Sequence, residues 1–184
     1  MARLNVGDKM PDITFSTPYE QGRTLSETVS RVKGKTALVF LRYYGCTLCQ
    51  YNIHVFMTEH EKIAATGGQM LVVLQSDPGK LAAQVEKGKL PFDIICDPEQ
   101  AIYKLLDIKP AGSKEEMRDG TTADKIAALK AKVPVEYTHG EYEGNEFQLP
   151  ATFVVEPDLT VTYAGYHKTI GDTPSPDELA ALLK

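Results

Sequence analysis

Two cysteines three positions apart, Cys46 and Cys49 in the stretch LVFLRYYGCTLCQ over residues 38–50, are the residues best suited to do chemistry. A thiolate can act as a nucleophile, as a soft metal ligand, or as one half of a dithiol–disulfide pair. A close pair therefore reads as a redox centre, as part of a metal site, or as two core residues that happen to be neighbours. The greasy run before it ends at Arg42, and a helical pattern begins at Thr47. The pair thus lies where a strand hands over to a helix. Backbone N–H groups at a helix start lack intrahelical partners, and the helix dipole is positive there. Both effects favour a thiolate and can bring a thiol pKa of about 8.5 down to roughly 3.5–7.5. On one helical turn the second sulfur can also attack an oxidised first one.

Metal loses ground because four-ligand zinc sites usually show a second close pair. Cys96 stands alone, and His54, His60, His139 and His167 are dispersed. His54 and His60 share one helical segment but lie six apart, on different faces. Redox chemistry is the favoured reading. A copper(I)-binding carrier remains the alternative from another class, as does a partner-binding module with idle cysteines. Arg42 has two readings: a cap or surface residue at a strand end, or a guanidinium that faces the thiolate, lowers its pKa and holds a peroxide or sulfenate oxygen. Tyr43 and Tyr44 either line an apolar mouth or fill the core. His139 reads as a solvated loop residue, and Cys96 as a core thiol, with a distant resolving thiol as its alternative.

The surrounding pattern supplies the elements that must position the pair. Thr36 to Leu41 is a continuous apolar run, fitting a strand buried on both faces. Thr47 to about Ala65 reads as a helix with Leu48, Asn52, Val55, Phe56 and Ile63 on one stripe, ended by Gly67-Gly68. Met70 to Leu74 is again a buried strand, which completes a right-handed βαβ unit. Further expected elements are a helix over Pro78–Gly88, a strand over Phe92–Cys96 and a helix over Pro98–Leu106. Residues 109–148 break the rhythm, with one helix over Thr122–Lys132 and then a polar, glycine-spaced loop over 137–145. That region is an insertion or a small lid. Thr152–Glu156 and Val161–Ala164 form a hairpin, and Ser175-Pro176-Asp177-Glu178 is a capping box that opens the last helix. Asp12–Phe15 is a short strand candidate near the start. The expected class is α/β, a central mixed sheet with helices on both faces.

Composition narrows the function. The chain has 184 residues, 42% hydrophobic and 24% charged, which suits one domain over 1–184. Twenty basic residues are scattered among 25 acidic ones for a net charge of −5, which argues against nucleic acid. No stretch is apolar and long enough for a membrane span or a secretory signal, so the cytoplasm is the expected compartment. That compartment is reducing, which disfavours a permanent disulfide framework and favours an active dithiol.

The motifs also resemble a known family. Val6-Gly7-Asp8-Lys9-Met10-Pro11-Asp12 with Gly34-Lys35-Thr36 resembles the N-terminal extension of the peroxiredoxin-like branch of the thioredoxin-like superfamily, the alkyl hydroperoxide reductase and thiol-specific antioxidant type. Phe40 to Cys49 resembles the active-site segment of that branch. Leu149-Pro150-Ala151-Thr152-Phe153 resembles the segment that faces the active site in thioredoxin-like proteins, where the proline is usually cis. The resemblance implies a thioredoxin-like fold with an N-terminal extension, an insertion before the cis-Pro strand, and a Leu149–Pro150 cis bond packed beside the cysteine turn. Two positions depart from the branch pattern: Arg42 stands where a proline is usual, and Cys46 where a threonine or serine is usual. The chain is similar to peroxiredoxin-like proteins that keep Cys-x-x-Cys. The resemblance implies catalytic roles for Cys49, Cys46 and Arg42, with Tyr44, Gly45, Thr47, Leu149 and Pro150 nearby. By position it matches Cys49 to the peroxide-reactive thiol and Cys46 to the resolving one, although physics alone leaves the order open. In the exchange alternative Cys46, the more exposed sulfur, attacks a partner disulfide and Cys49 resolves it. The implied partners are a hydroperoxide or a protein disulfide, and a thioredoxin-like reductant. A homodimer is admitted, and no metal or organic cofactor is implied.

Overall fold

The computed structural model describes residues 3–184. Its centre is a five-stranded mixed sheet in the order β5-β4-β3-β6-β7. The strands are β3 (Thr36–Phe40), β4 (Gln69–Leu74), β5 (Asp93–Cys96), β6 (Ala151–Val155) and β7 (Val161–Tyr166). β3, β4 and β5 run parallel, and β6 and β7 pair antiparallel on the other side of β3. A small hairpin of β1 (Thr14–Phe15) and β2 (Arg23–Thr24) precedes them.

Alternation along the central strands builds two cores, because successive side chains point to opposite faces. On one face Ala37, Val39, Met70, Val72 and Val154 meet Phe56 of α2 (Thr47–Thr58), Ile63 of α3 (Glu61–Ala64) and Leu179 of α7 (Pro176–Leu183). On the other, Leu38, Phe40, Leu71, Val73 and Phe153 meet Leu25 and Val29 of α1 (Leu25–Val29), and Ile102 and Tyr103 of α5 (Ala101–Leu105). α1 was not anticipated from the sequence, although Thr24 and Glu27 form a complete capping box at its start.

Several expected boundaries move, each for a local reason. The helix expected over 47–65 divides into α2 and α3. Thr58 Oγ1 bonds back to the His54 carbonyl at 3.0 Å, a side-chain competition that bends helices. The helix expected over 98–106 starts only at Ala101. Gln100 is left-handed at φ 57°, and the Asp97 carboxylate accepts from the N–H groups of Ala101 and Ile102 at 2.8 and 2.7 Å. α4 (Pro78–Ala82) is shorter than expected, and the chain then turns through Gly88 at φ 80°. The C-terminal capping box is present as expected, with Ser175 accepting from the Glu178 N–H.

The Leu149–Pro150 bond is trans, which corrects the cis bond that the resemblance implied; the described residues contain no cis peptide. Trans is the favoured isomer of an X–Pro bond by about 0.5–1 kcal/mol, and the local contacts are made with it. The buried Gln148 amide donates to the carbonyls of Leu149 and Ile108 at 3.1 and 3.2 Å, and the Pro150 carbonyl accepts from the His167 N–H at 3.2 Å.

The break in the rhythm over 109–148 is an excursion across the outer face of α2. It carries α6 (Thr122–Ala131), and its Val133, Leu129 and Tyr137 pack on Tyr51 and Val55. It then folds back as a lid over the end of β3 before entering β6.

Candidate active site

β3 ends at Phe40, and the chain turns through Arg42 to Gly45 before α2 begins. Cys46 is the N-cap of α2, in extended backbone at φ −67° and ψ 120°. That position usually holds a side-chain oxygen that accepts a first-turn N–H. Here the sulfur does so: the Cys49 N–H reaches Cys46 Sγ at 3.3 Å. Arg42 Nη2 donates to the same sulfur at 2.9 Å. The Arg42 guanidinium thus lies against the sulfur at the helix cap.

The two sulfurs are driven in opposite directions. The Cys46 thiol is lowered from 9.0 to about 6. The Cys49 thiol acting as a donor is the largest cause; burial opposes it, and the Arg42 charge and the Cys49 N–H add to it. Cys49 is held well above the ordinary thiol range, first by burial and then by its hydrogen bond to Cys46. Both thiols are free in this structure.

A lid covers Cys46. The Gly140 N–H donates to the Gly45 carbonyl at 2.8 Å, Gln50 Nε2 reaches the Thr138 carbonyl at 3.1 Å, and Arg42 Nη1 donates to the Glu146 carbonyl at 2.7 Å. The Tyr43 hydroxyl lies 2.9 Å from Glu146 Oε1 and 3.0 Å from His139 Nε2. A Cβ built on Gly45 would collide with the Glu141 backbone, so glycine is what lets the lid lie this close. One consequence corrects the expectation that Cys46 is the more exposed sulfur: it is 0% exposed and Cys49 is 4% exposed.

Other sequence-selected residues are placed as follows. Pro150 lines a small recess with Arg42, Leu48, Cys49 and Gln148. Leu149 borders a separate cleft with Lys109 and Pro110. The Tyr44 N–H donates to Ser76 Oγ at 2.9 Å, while its side chain borders a cleft with Ile53 and Tyr137. Thr47 provides the first helical residue. Cys96 ends the edge strand β5, where burial, with Asp77 and Glu143 nearby, pushes its thiol up to about 12. His54 Nδ1 bonds the Tyr137 hydroxyl at 2.8 Å.

Sequence reasoning missed Glu146 altogether; His139 is exposed, as expected of a solvated loop residue, but its contact with the Tyr43 hydroxyl was not foreseen. Neither belongs to a motif, and only the folding of the lid brings them to Tyr43. It also missed a cavity of about 790 Å³ between α2, α6 and α7, lined by Leu48, Val55, Phe56, Ile126, Leu129 and Leu182 among others. Leu48, Asn52, Ile170 and Thr173 line both this cavity and the recess at Cys49. Its size lies within the usual range of small-molecule sites, about 300–1,000 Å³. Among the described residues no helix is long and apolar enough to cross a membrane.

Comparison with known proteins places this geometry in context. The model of the AhpC/TSA family matches residues 6–164. The chain is 29% identical to the chloroplastic peroxiredoxin Q of Populus jackii over 109 residues, a match that covers 56% of this chain and about half, 47%, of that relative. Among solved structures, peroxidoxin BcpB of Mycobacterium tuberculosis superposes with a TM-score of 0.65 at 14% identity, covering 98% of this chain and 97% of that one. A peroxiredoxin-like protein from Aquifex aeolicus gives a TM-score of 0.65 at 14% identity, covering 100% and 88%. These structural likenesses show a shared fold.

Proposed function

Since the chain belongs to the AhpC/TSA family, we propose that it is a thiol-dependent peroxidase in which Cys46 is the attacking sulfur and Cys49 the resolving one. The observation that carries the order is the capping geometry. Cys46 Sγ receives the Arg42 guanidinium at 2.9 Å and the Cys49 N–H at 3.3 Å, and its pKa of about 6 leaves it ionised at neutral pH. Cys49 is held as a thiol. This order reverses the one taken from position in the family motif.

In the proposed cycle the Cys46 thiolate attacks one oxygen of a hydroperoxide. The S–O bond forms as the O–O bond breaks, and the departing alkoxide or hydroxide takes up a proton from solvent. The Cys46 sulfenic acid then condenses with the Cys49 thiol, giving a disulfide and water. A thioredoxin-like dithiol returns both thiols and is itself oxidised to a disulfide. Arg42 is placed to stabilise negative charge on the sulfur and on the oxygen it gains. The cavity beside the recess at Cys49 supports an organic hydroperoxide, with its apolar substituent among Leu48, Phe56 and Leu129. Action in a reducing compartment such as the cytoplasm belongs to the same proposal.

A sulfenate trap read by mass spectrometry after hydroperoxide treatment tests the order. Cys49→Ser should leave a trapped sulfenic acid on Cys46, and Cys46→Ser should leave little on Cys49. The reverse result would restore Cys49 as the peroxide-reactive thiol. Thiol loss no faster than that of free cysteine in stopped-flow mixing would remove the peroxidase reading. Disulfide exchange would then remain, with Cys46 as its nucleophile.

A further inference from the structure

The lid does more than cover Cys46, because it supplies one of the two anchors of the arginine beside the sulfur. A guanidinium is a rigid planar fork, so fixing one nitrogen directs the others. Arg42 Nη1 is fixed on the Glu146 carbonyl at 2.7 Å, and Nη2 then meets Cys46 Sγ at 2.9 Å. Glu146 is a lid residue, and its position is set in turn by its side chain. The Tyr43 hydroxyl, on a ring that is 0% exposed, lies 2.9 Å from Glu146 Oε1. His139 Nε2 lies 3.0 Å from the same hydroxyl, and its Nδ1 lies 2.8 Å from the Gly140 carbonyl. The imidazole also stacks on Tyr142 with centroids 4.1 Å apart.

These contacts form one line through the Gly140 carbonyl, the imidazole, the Tyr43 hydroxyl and the Glu146 carboxyl group. Further charges surround this line. The lid carries Glu141, paired with Lys80 of α4, and Glu143, which accepts from the Asp77 N–H. The charges of Cys46 and Arg42 also act on the Tyr43 hydroxyl.

We propose that Tyr43, His139 and Glu146 are positioning residues for the thiolate. Together they hold the lid carbonyl that aims Arg42 at Cys46, so a closed lid sets the ionisation of the reactive sulfur. This inference rests on the reading of Cys46 as the reactive thiol. It gives the region over 137–146 a role in the reactivity of the sulfur: a lifted lid frees the guanidinium and removes a partner from the sulfur.

The test is the pH dependence of Cys46 alkylation by iodoacetamide in the reduced full-length protein, with the modified residue assigned by mass spectrometry. Tyr43→Phe removes only the hydroxyl and should raise the midpoint by about one pH unit, a tenfold change in acidity. Glu146→Gln keeps both the backbone carbonyl and a side-chain oxygen for the Tyr43 hydroxyl, and it should keep the wild-type midpoint. A Tyr43→Phe profile that superimposes on wild type would overturn the proposal, as would a wild-type midpoint at the value of an unperturbed thiol. Because the readout involves no peroxide, failure of the peroxidase reading shows separately, as slow thiol loss with hydroperoxide alongside an intact alkylation profile.

Discussion

Replacing Arg42 by methionine tests the electrostatics of the site most directly, because it keeps much of the side-chain volume and removes the charge. At 2.9 Å and an effective dielectric of about 20, the gross attraction between a guanidinium and a thiolate is about 6 kcal/mol. Burial of the sulfur offsets part of this, and the Cys49 hydrogen bond is the largest single cause that brings Cys46 from 9.0 to about 6. The Cys49 N–H also remains in place in the variant. We therefore expect a return of about one to two pH units, worth roughly 1.4–2.7 kcal/mol. At pH 7 the thiolate fraction should fall from about nine-tenths to between about one-half and one-tenth. The assay is alkylation rate against pH, with loss of thiolate absorbance as a second readout. Stability gives an independent check with a fixed sign. The folded-state pKa of Cys46 is depressed, so the stabilisation is fully present above the unfolded thiol value and is lost as pH falls through about 6. Wild type and Arg42→Met should differ most in denaturant midpoint at alkaline pH and converge below about pH 6. A midpoint of alkylation that stays at about 6 in the variant would refute this account of Arg42.

Two further perturbations probe the routes to the sulfurs. Leu129→Trp should fill part of the cavity between α2, α6 and α7 and slow the reaction with cumene hydroperoxide severalfold while sparing hydrogen peroxide; equal effects on both would show that the cavity holds no part of the substrate. Gly45→Ala should drive the lid off, since its Cβ collides with the Glu141 backbone. Hydrogen exchange over 137–146 should rise while the strands of the central sheet stay protected, and unchanged protection of the lid would show that the close approach is not what seats it.

The central fold was legible in the sequence because its signals are local and redundant. Apart from Thr36, the runs Thr36–Leu41 and Met70–Leu74 are apolar at every position, and all but the rim residue Gln69 of β3 and β4 are in fact buried. Ser175, Pro176 and Glu178 mark the start of α7 with three agreeing residues. The cysteine pair was legible for the same reason: a buried strand, a turn and a helix start are all local features. Legibility fails where a residue acquires its role from far away in the chain. Tyr43 and Glu146 are 103 positions apart, and Arg42 and Glu146 are 104 apart. No periodicity connects them, because the segment between returns across α2 through irregular backbone. The cis Leu149–Pro150 bond was expected from the Leu-Pro dipeptide before a strand and from the resemblance, and the bond is trans.

The opposite shifts of the two thiols follow from a single asymmetry of the helix start. At the cap, Cys46 Sγ has the Cys49 N–H in front of it and a guanidinium beside it, and both are donors. One turn inside, Cys49 has already given its N–H to Cys46, and its own thiol can serve Cys46 only while it keeps its proton. The pair therefore carries one negative charge across the neutral range, and that charge rests on the outer sulfur. Burial holds the Cys49 pKa high first, and its hydrogen bond to Cys46 and the second negative charge that ionisation would place beside the first add to it. A sulfur held neutral in this way is a poor nucleophile while Cys46 is reduced. In the proposed cycle, once Cys46 bears an oxygen the neighbouring thiolate is gone, and with it the hydrogen bond and the repulsion that add to burial in holding the Cys49 proton. Oxidation of the first thiol would thus ease ionisation of the second, with burial as what still opposes it.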